Sequence, residues 1–320
     1  MARMNANSVA TGGNPLKRWW RSAMNAYDNS PLFPASLVVL VLLFFIIWNV
    51  LPTLWMVGLS FYNYIMVTGM PPRFIGLNNY IDIIVNNDAV WSNFGRTFLW
   101  VFSTVVVETV LGALLAFLFW GSSRLPGRRL ALTLLFVPML VSTASSGTFF
   151  RLIYEPTFGI INYFINGVLG LPVINFIGDK VWAFPSAVLV DVWMWTPFMI
   201  LITMAALGSV PKAELEAAEI DRLSFFRKLK HVIFPYGKYI LMLGILLRTI
   251  DSFKTMDLLY ILTKGGPGNA TELVAIGLYR KAFEGFTMGW SSALAVILLF
   301  TAIAFTSVYL FVLNMSTKKE

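Results

Sequence analysis

Six ionisable side chains fall inside stretches that are otherwise almost wholly apolar: Glu108, Asp191, Arg248, Asp251, Lys254 and Asp257. A charge at membrane depth is costly, so each is a functional candidate by default. Arg248, Asp251, Lys254 and Asp257 recur at intervals of three with alternating sign. Residues three apart share one face of a helix, and two chemistries are then open. The four form a structural ion-pair ladder, or they present a polar stripe to an aqueous pathway and hydrogen-bond a polar solute. Trp193, Trp195 and Phe253 lie among them; aromatic residues there either pack or stack against the apolar face of a solute ring. Asp191, beside the two tryptophans, is the preferred solute contact of its stretch. With no Cys, thiolate chemistry is excluded, and a single His (His231) leaves almost no room for a His-based metal site or a Ser-His-Asp triad.

The elements that position these residues follow from composition. Of 320 residues, 58% are hydrophobic and 12% charged, against about 45–50% and about 25% in a soluble domain. Mean hydropathy is +0.73, so the chain cannot clothe a water-facing surface, nor can it be disordered. A membrane helix needs about 20 mostly apolar residues. Six stretches qualify: Ala35 to Phe61, Thr97 to Trp120, Leu130 to Leu152, Trp182 to Leu207, Tyr239 to Leu262 and Trp290 to Leu313. Trp19, Trp20, Trp48, Trp55, Trp120 and Trp290 lie near proposed ends, as interfacial aromatic belts require.

Charge sets the orientation. Lys17, Arg18 and Arg21 precede the first span, and Arg124, Arg128 and Arg129 follow the second. Lys212, Arg222, Arg227, Lys228 and Lys230 follow the fourth, and Lys318 and Lys319 end the chain. If six spans alternate, all four segments share one side. The positive-inside rule makes that side cytoplasmic, with both termini there. The net charge of +8 is then an orientation signal and not a nucleic-acid footprint.

The segment 208–238, GSVPKAELEAAEIDRLSFFRKLKHVIFPYGK, breaks the pattern of short connectors. Ser209 and Pro211 mark a helix start, and Glu214, Glu216 and Glu219 suit the positive end of that helix. Ser224 is placed to cap a second short helix, which Pro235 stops. Two short amphipathic helices are therefore expected, either lying on the bilayer surface or docking a protein. The small pair Ala217–Ala218 would let another surface approach closely.

Glu216-Ala217-Ala218 with Asp221, closing on Val232-Ile233-Phe234-Pro235, resembles the EAA motif of ABC-importer permeases. Where that family has Gly, this chain has Arg222. Either Arg222 adopts the positive φ that Gly tolerates, at about 1–2 kcal/mol, or the turn is built differently. Further elements occur in family order: Phe74-Ile75-Gly76-Leu77-Asn78-Asn79-Tyr80, Gly127-Arg128-Arg129 to Pro138, Arg151 to Pro156, Trp193-Met194-Trp195-Thr196-Pro197-Phe198, and Thr263-Lys264-Gly265-Gly266-Pro267. The chain is thus identified as similar to the membrane-spanning subunits of carbohydrate-type ABC importers, such as maltose and glycerol-phosphate permeases.

That resemblance implies an all-α integral membrane fold. It has six transmembrane helices and a cytoplasmic EAA coupling helix, the type I ABC importer transmembrane domain. A cytoplasmic arm would cover 1–34, the permease domain 35–314 with its coupling segment at 208–238, and a tail 315–320. It implies a bacterial inner-membrane location, a second homologous permease, two ABC ATPase subunits, an extracytoplasmic substrate-binding protein and a carbohydrate substrate. ATP and Mg would be bound by the ATPase, since this chain has no GxxxxGK[ST] loop. Glu216, Ala217, Ala218, Asp221, Arg222, Ser224 and Pro235 would couple to the ATPase. Gly265, Gly266 and Pro267 would face the binding protein. Asp191, Trp193, Trp195, Arg248, Asp251, Phe253, Lys254 and Asp257 would line the sugar pathway. A gradient-driven transporter or channel also suits the charges of the fifth span, but leaves the docking segment without a role. A membrane enzyme lacks a metal cluster or acid/base pair outside the bilayer.

Overall fold

A computed structural model describes Trp20, residues 32–120 and residues 126–317. Lys17, Arg18, Trp19, Arg21, Arg124, Lys318 and Lys319 lie outside the described residues. The chain divides into two units, Met1–Gly58 and Leu59–Glu320.

α1 (Phe33–Leu59), in the first unit except for its last residue, is long and apolar enough to cross a membrane. Pro52 sits inside it and has no N–H for the helix ladder. The turn before it widens to a π-helix over Ile46–Val50, in which Leu51 N–H reaches Ile46 O. Such insertions recur where a proline must be accommodated.

The second unit opens with a two-stranded antiparallel pair, β1 (Tyr62–Asn63) and β2 (Arg73–Phe74), in register Tyr62↔Phe74. It continues through α2 (Asn78–Val85), α3 (Asp88–Trp120), α4 (Arg128–Leu140), α5 (Thr143–Ile153), α6 (Ala183–Gly208) and α7 (Lys212–Ile220). α8 (Phe225–Phe253), α9 (Asp257–Thr263), α10 (Val274–Tyr279) and α11 (Met288–Thr317) complete it. Its centre is the packing of α3 on α6, with α8 against both. At about 1.5 Å per residue, the 33 residues of α3 span about 50 Å, well beyond a ~30 Å hydrocarbon core. Its first turns are therefore free to join the segment beyond the spans.

Small residues permit the central contact. A Cβ at Gly112 of α3 would lie 2.5 Å from Met199 Cβ and 2.9 Å from Met199 carbonyl carbon on α6. Gly244 of α8 meets the Ile202 side chain of α6 in the same way. Close backbone approach is the usual basis of helix association in membranes. We expect Gly112→Ala to cost about 1–3 kcal/mol by overpacking, read as a lower melting temperature of the purified permease. Unchanged melting would show that α3 and α6 part easily.

Three sequence expectations change. Among the described residues, five helices are long and apolar enough to span; the sixth exists only as the pair α4 and α5, bent by 99°. The stretch Leu130 to Leu152 is not one helix, because Ser142 turns to an extended conformation and its side chain caps α5 by accepting from Ser145 N–H at 3.2 Å. Pro235 does not stop a separate short helix. A π-turn at Leu229–Ile233 absorbs it, so Phe225 to Phe253 runs through. Nor does the fifth stretch reach Leu262. α8 ends at Phe253 and Lys254 is its cap, while Asp257 opens α9.

Candidate functional site

The charged residues do not form one stripe. Arg248 of α8 is 1% exposed, Glu108 of α3 is fully buried and Asp191 of α6 is 2% exposed. Arg248 donates from Nε to Glu108 Oε2 at 2.6 Å and from Nη2 to Glu108 Oε1 at 2.9 Å. This is the bidentate fork that suits a guanidinium and a carboxylate. Nη2 also donates to Asp191 Oδ2. Asp251 Oδ2 stands 3.4 Å from Nη1, and Lys254 Nζ 3.1 Å from Asp251 Oδ1. The Trp195 ring lies 5.0 Å from the guanidinium carbon, a cation–π arrangement. One arginine therefore ties α3, α6 and α8 together. Close by, Thr104 and Ser252 hydroxyls meet at 3.0 Å between α3 and α8, both buried.

The ladder expected from spacing is present for Arg248, Asp251 and Lys254, while Asp257 stands apart on α9. The strongest partner, Glu108, lies 140 residues away, and spacing within one helix cannot reveal it. Asp191 is occupied by Arg248 and is not open to a solute in this conformation. Phe253 is buried between Phe98 and Phe305 at 5.4 Å from each ring. Trp193, 39% exposed, instead stands beside Phe150 at 5.1 Å. It borders a groove of about 700 Å³ shared with Ser145, Ser146, Thr148 and Phe149. The buried Ser146 Oγ has no hydrogen-bond partner there.

The segment after α6 is exposed at most of the positions where the sequence suggested contact, but Ala218, expected to meet a partner surface together with Ala217, is buried within the chain. Glu216, Ala217, Asp221, Arg222, Ser224 and Pro235 are exposed, while Ala218 is buried. Ala218 packs in one cluster with Ala116 of α3, Leu207 of α6 and Val232 and Ile233 of α8. Lys228 Nζ and Glu219 Oε1 pair at 3.2 Å across the turn. Arg222 takes φ 51°. Leu223 N–H donates to Ala218 O at 3.0 Å and Arg222 N–H to Glu219 O at 3.0 Å. These two bonds define a Schellman C-cap with Arg222 at the left-handed position. So Arg222 accepts the strain that a glycine would avoid. Arg222→Gly should raise stability by about 0.5–1 kcal/mol, seen as a higher melting temperature. A fall would mean that the Arg222 side chain contributes more than its backbone costs.

At the opposite end of α3, Lys264, Gly265, Gly268 and Asn269 have positive φ, and Gly266–Pro267 is a cis bond. Thr263 and Thr271 hydroxyls pair at 2.6 Å, and Thr271 Oγ1 donates to Gly266 O at 2.9 Å. Gly265 is buried, Gly266 and Pro267 half-buried. Glu272 fixes the loop to α3. It accepts from Asn93 Nδ2 at 3.1 Å, its backbone oxygen takes Arg96 Nε at 3.0 Å, and Arg280 pairs with its carboxylate. Sequence reading passed over this network, since its members lie up to 179 residues apart.

A helical membrane protein with a half-exposed short helix closing between two long ones has the architecture of an ABC-transporter transmembrane domain. The crystal structure of a bacterial alginate ABC transporter, in complex with alginate pentasaccharide-bound periplasmic protein, superposes with a TM-score of 0.75. It does so at 14% identity over 91% of this chain and 96% of that one. Residues 108–317 match the family described as binding-protein-dependent transport system inner membrane component, and the chain belongs to that family. Its relatives include the trehalose/maltose transport system permease protein MalF of Thermococcus litoralis, 34% identical over 87% of this chain and 90% of that protein. The trehalose transport system permease protein SugA of Mycobacterium tuberculosis is 31% identical over 77% of this chain and 78% of its own. The chain is thus a permease of an ABC transporter, a multi-pass membrane component of transport.

Proposed function

We propose that this chain is one of two related permease subunits forming an import pathway for a sugar, polyol or sugar derivative. In this reading an extracytoplasmic binding protein delivers the substrate, and ATP hydrolysis in two partner subunits drives alternating access. This chain holds no ATP or Mg, and its location is the bacterial inner membrane with both termini cytoplasmic. Lipid surrounds it and nucleic acid has no part.

The observation that carries the proposal is α7. It offers Glu216 and Ala217 outward while Ala218 is fixed to α3, α6 and α8. A push on the exposed face is therefore transmitted to three spans at once. Carbohydrate is favoured by what relatives are named for, trehalose and maltose. The groove beside Trp193 suits a sugar, since an exposed indole stacks on the apolar face of a pyranose ring while the Ser146 hydroxyl lacks a partner. Asp191 and Arg248 then shape the pathway from behind, and Gly265 to Pro267 face the binding protein.

The test is uptake into proteoliposomes holding this chain with its partner permease and ATPase. Uptake that needs both ATP and the binding protein is expected. Gradient-driven uptake by this chain alone would overturn the reading.

A further inference from the structure

Beyond β1, at the end of α3 opposite α7, the chain builds a polar cup that the transport pathway described above does not use. Its volume is about 380 Å³, within the range of about 300–1,000 Å³ found for small-molecule sites. Asn63, Asn78 and Asn87 supply side-chain amides, Asp82 a carboxylate, Lys281 an ammonium and Trp290 an indole. The floor is rigid. Asn79, buried, donates to Ser60 O at 2.8 Å and Tyr62 O at 3.0 Å. Met66 N–H reaches Phe286 O at 3.0 Å, Gly289 N–H reaches Tyr64 O at 3.1 Å, and Ile65 pairs with Thr287. Gly289 admits no Cβ, because it would strike Tyr62 O.

Within this cup the charges are held apart. Trp290 Nε1 donates to Asp82 Oδ2 at 2.8 Å, which orients the carboxylate, and Asp82 lines the cup. Lys281 Nζ lies 5.4 Å from the Trp290 ring centre. Among the described residues, neither Asp82 nor Lys281 forms an ion pair. A carboxylate, an ammonium and several amides on a fixed frame are donors and acceptors matched to a dense array of hydroxyl groups. A single-sign ion would meet the wrong charge on one side, and an apolar chain would strand the amides.

We infer that the cup is a saccharide subsite at the mouth of the permease, holding one glucose unit of an incoming sugar. Asp82 and the asparagine amides take the hydroxyls, and Lys281 donates from the rim. The inference rests on the carbohydrate reading above, yet names a place separate from the groove beside Trp193.

The chain contains no cysteine, so Ile75→Cys puts a single reporter on the lining of the cup at a residue with no proposed sugar contact. The assembled transporter in nanodiscs is labelled with a fluorescent maleimide in the presence of maltose, of trehalose or of betaine at equal osmolality. At least a threefold slowing by maltose or trehalose, and none by betaine, is expected. Adding Lys281→Gln to the reporter variant should abolish that protection, and a second reporter at Tyr64→Cys, also on the lining, should repeat the pattern. Equal labelling rates in all three solutes at both reporters would overturn the subsite. Protection only when the binding protein is present, without regard to sugar, would show the cup to be a protein contact and would also overturn it. Uptake of the same two sugars by the wild-type complex separates the two claims. Uptake without protection sinks the subsite alone, whereas neither uptake nor protection removes the glucose-sugar reading with it.

Discussion

Replacing Arg248 with methionine should be the most damaging single change in the molecule. The guanidinium is the shared partner of Glu108 and Asp191, and all three are at most 2% exposed. Its removal leaves two carboxylates inside an apolar helix bundle with nothing to neutralise them. Breaking a buried pair in this way costs about 3–5 kcal/mol, a large fraction of the about 5–15 kcal/mol that holds a typical domain folded. The expected result is loss of monodisperse, folded permease on size exclusion after extraction. Arg248→Lys should recover only part of it. One ammonium cannot donate along the lines of both Nε and Nη2 to Glu108, since the fork geometry belongs to arginine. The triple variant Arg248→Met with Glu108→Gln and Asp191→Asn should be better folded than Arg248→Met alone, because no charge is left unpaired. If Arg248→Met behaves as wild type, the cluster is not what holds α3, α6 and α8 in register. By the same logic, Asp191→Ala should lower stability before it says anything about transport.

The second large effect is expected at Glu216. It lies on the exposed face of α7, and the helix needs none of its contacts for burial. Glu216→Lys should leave the melting temperature within about 1 °C, since exposed substitutions rarely exceed about 0.5 kcal/mol. Transport should nevertheless fall at least tenfold, because reversing one charge in a docked pair costs about 2 kcal/mol or more. Assembly with the ATPase should weaken in parallel, measured as the salt concentration at which the complex dissociates. Normal assembly and normal uptake together would remove Glu216 from the docking surface.

These two residues differ in how readable they were. The turn that follows Glu216 was legible because it is local: the Glu-Ala-Ala run and Arg222 lie within seven residues. Even the unusual Arg222 kept its geometry, since a C-cap is fixed by the hydrogen bonds of its own turn. Arg248 was legible only as a charge that needed a partner. Its i,i+3 neighbours were visible, whereas Glu108 comes from another span, and pairing across helices depends on how α3 and α8 pack. The bend between α4 and α5 was written in the sequence at Ser142, an N-cap residue that opens the hydroxyl-rich stretch Ser142 to Thr148, but hydropathy averaged over twenty residues dilutes that stretch among its apolar neighbours. Pro235 misled for a related reason. A proline removes one helical hydrogen bond, and a π-turn of five residues is enough to absorb the loss.

The central claim is that the exposed face of α7 is where an ATPase subunit pushes on the permease. It is most directly tested by Ala217→Cys, a unique thiol on that face of a cysteine-free chain, labelled with a maleimide photo-cross-linker in the purified transporter. The expected product is a single adduct between the permease and the ATPase subunit, absent when the thiol is placed at Asn78 at the other end of α3. An adduct with lipid or with the second permease, and none with the ATPase, would contradict the account.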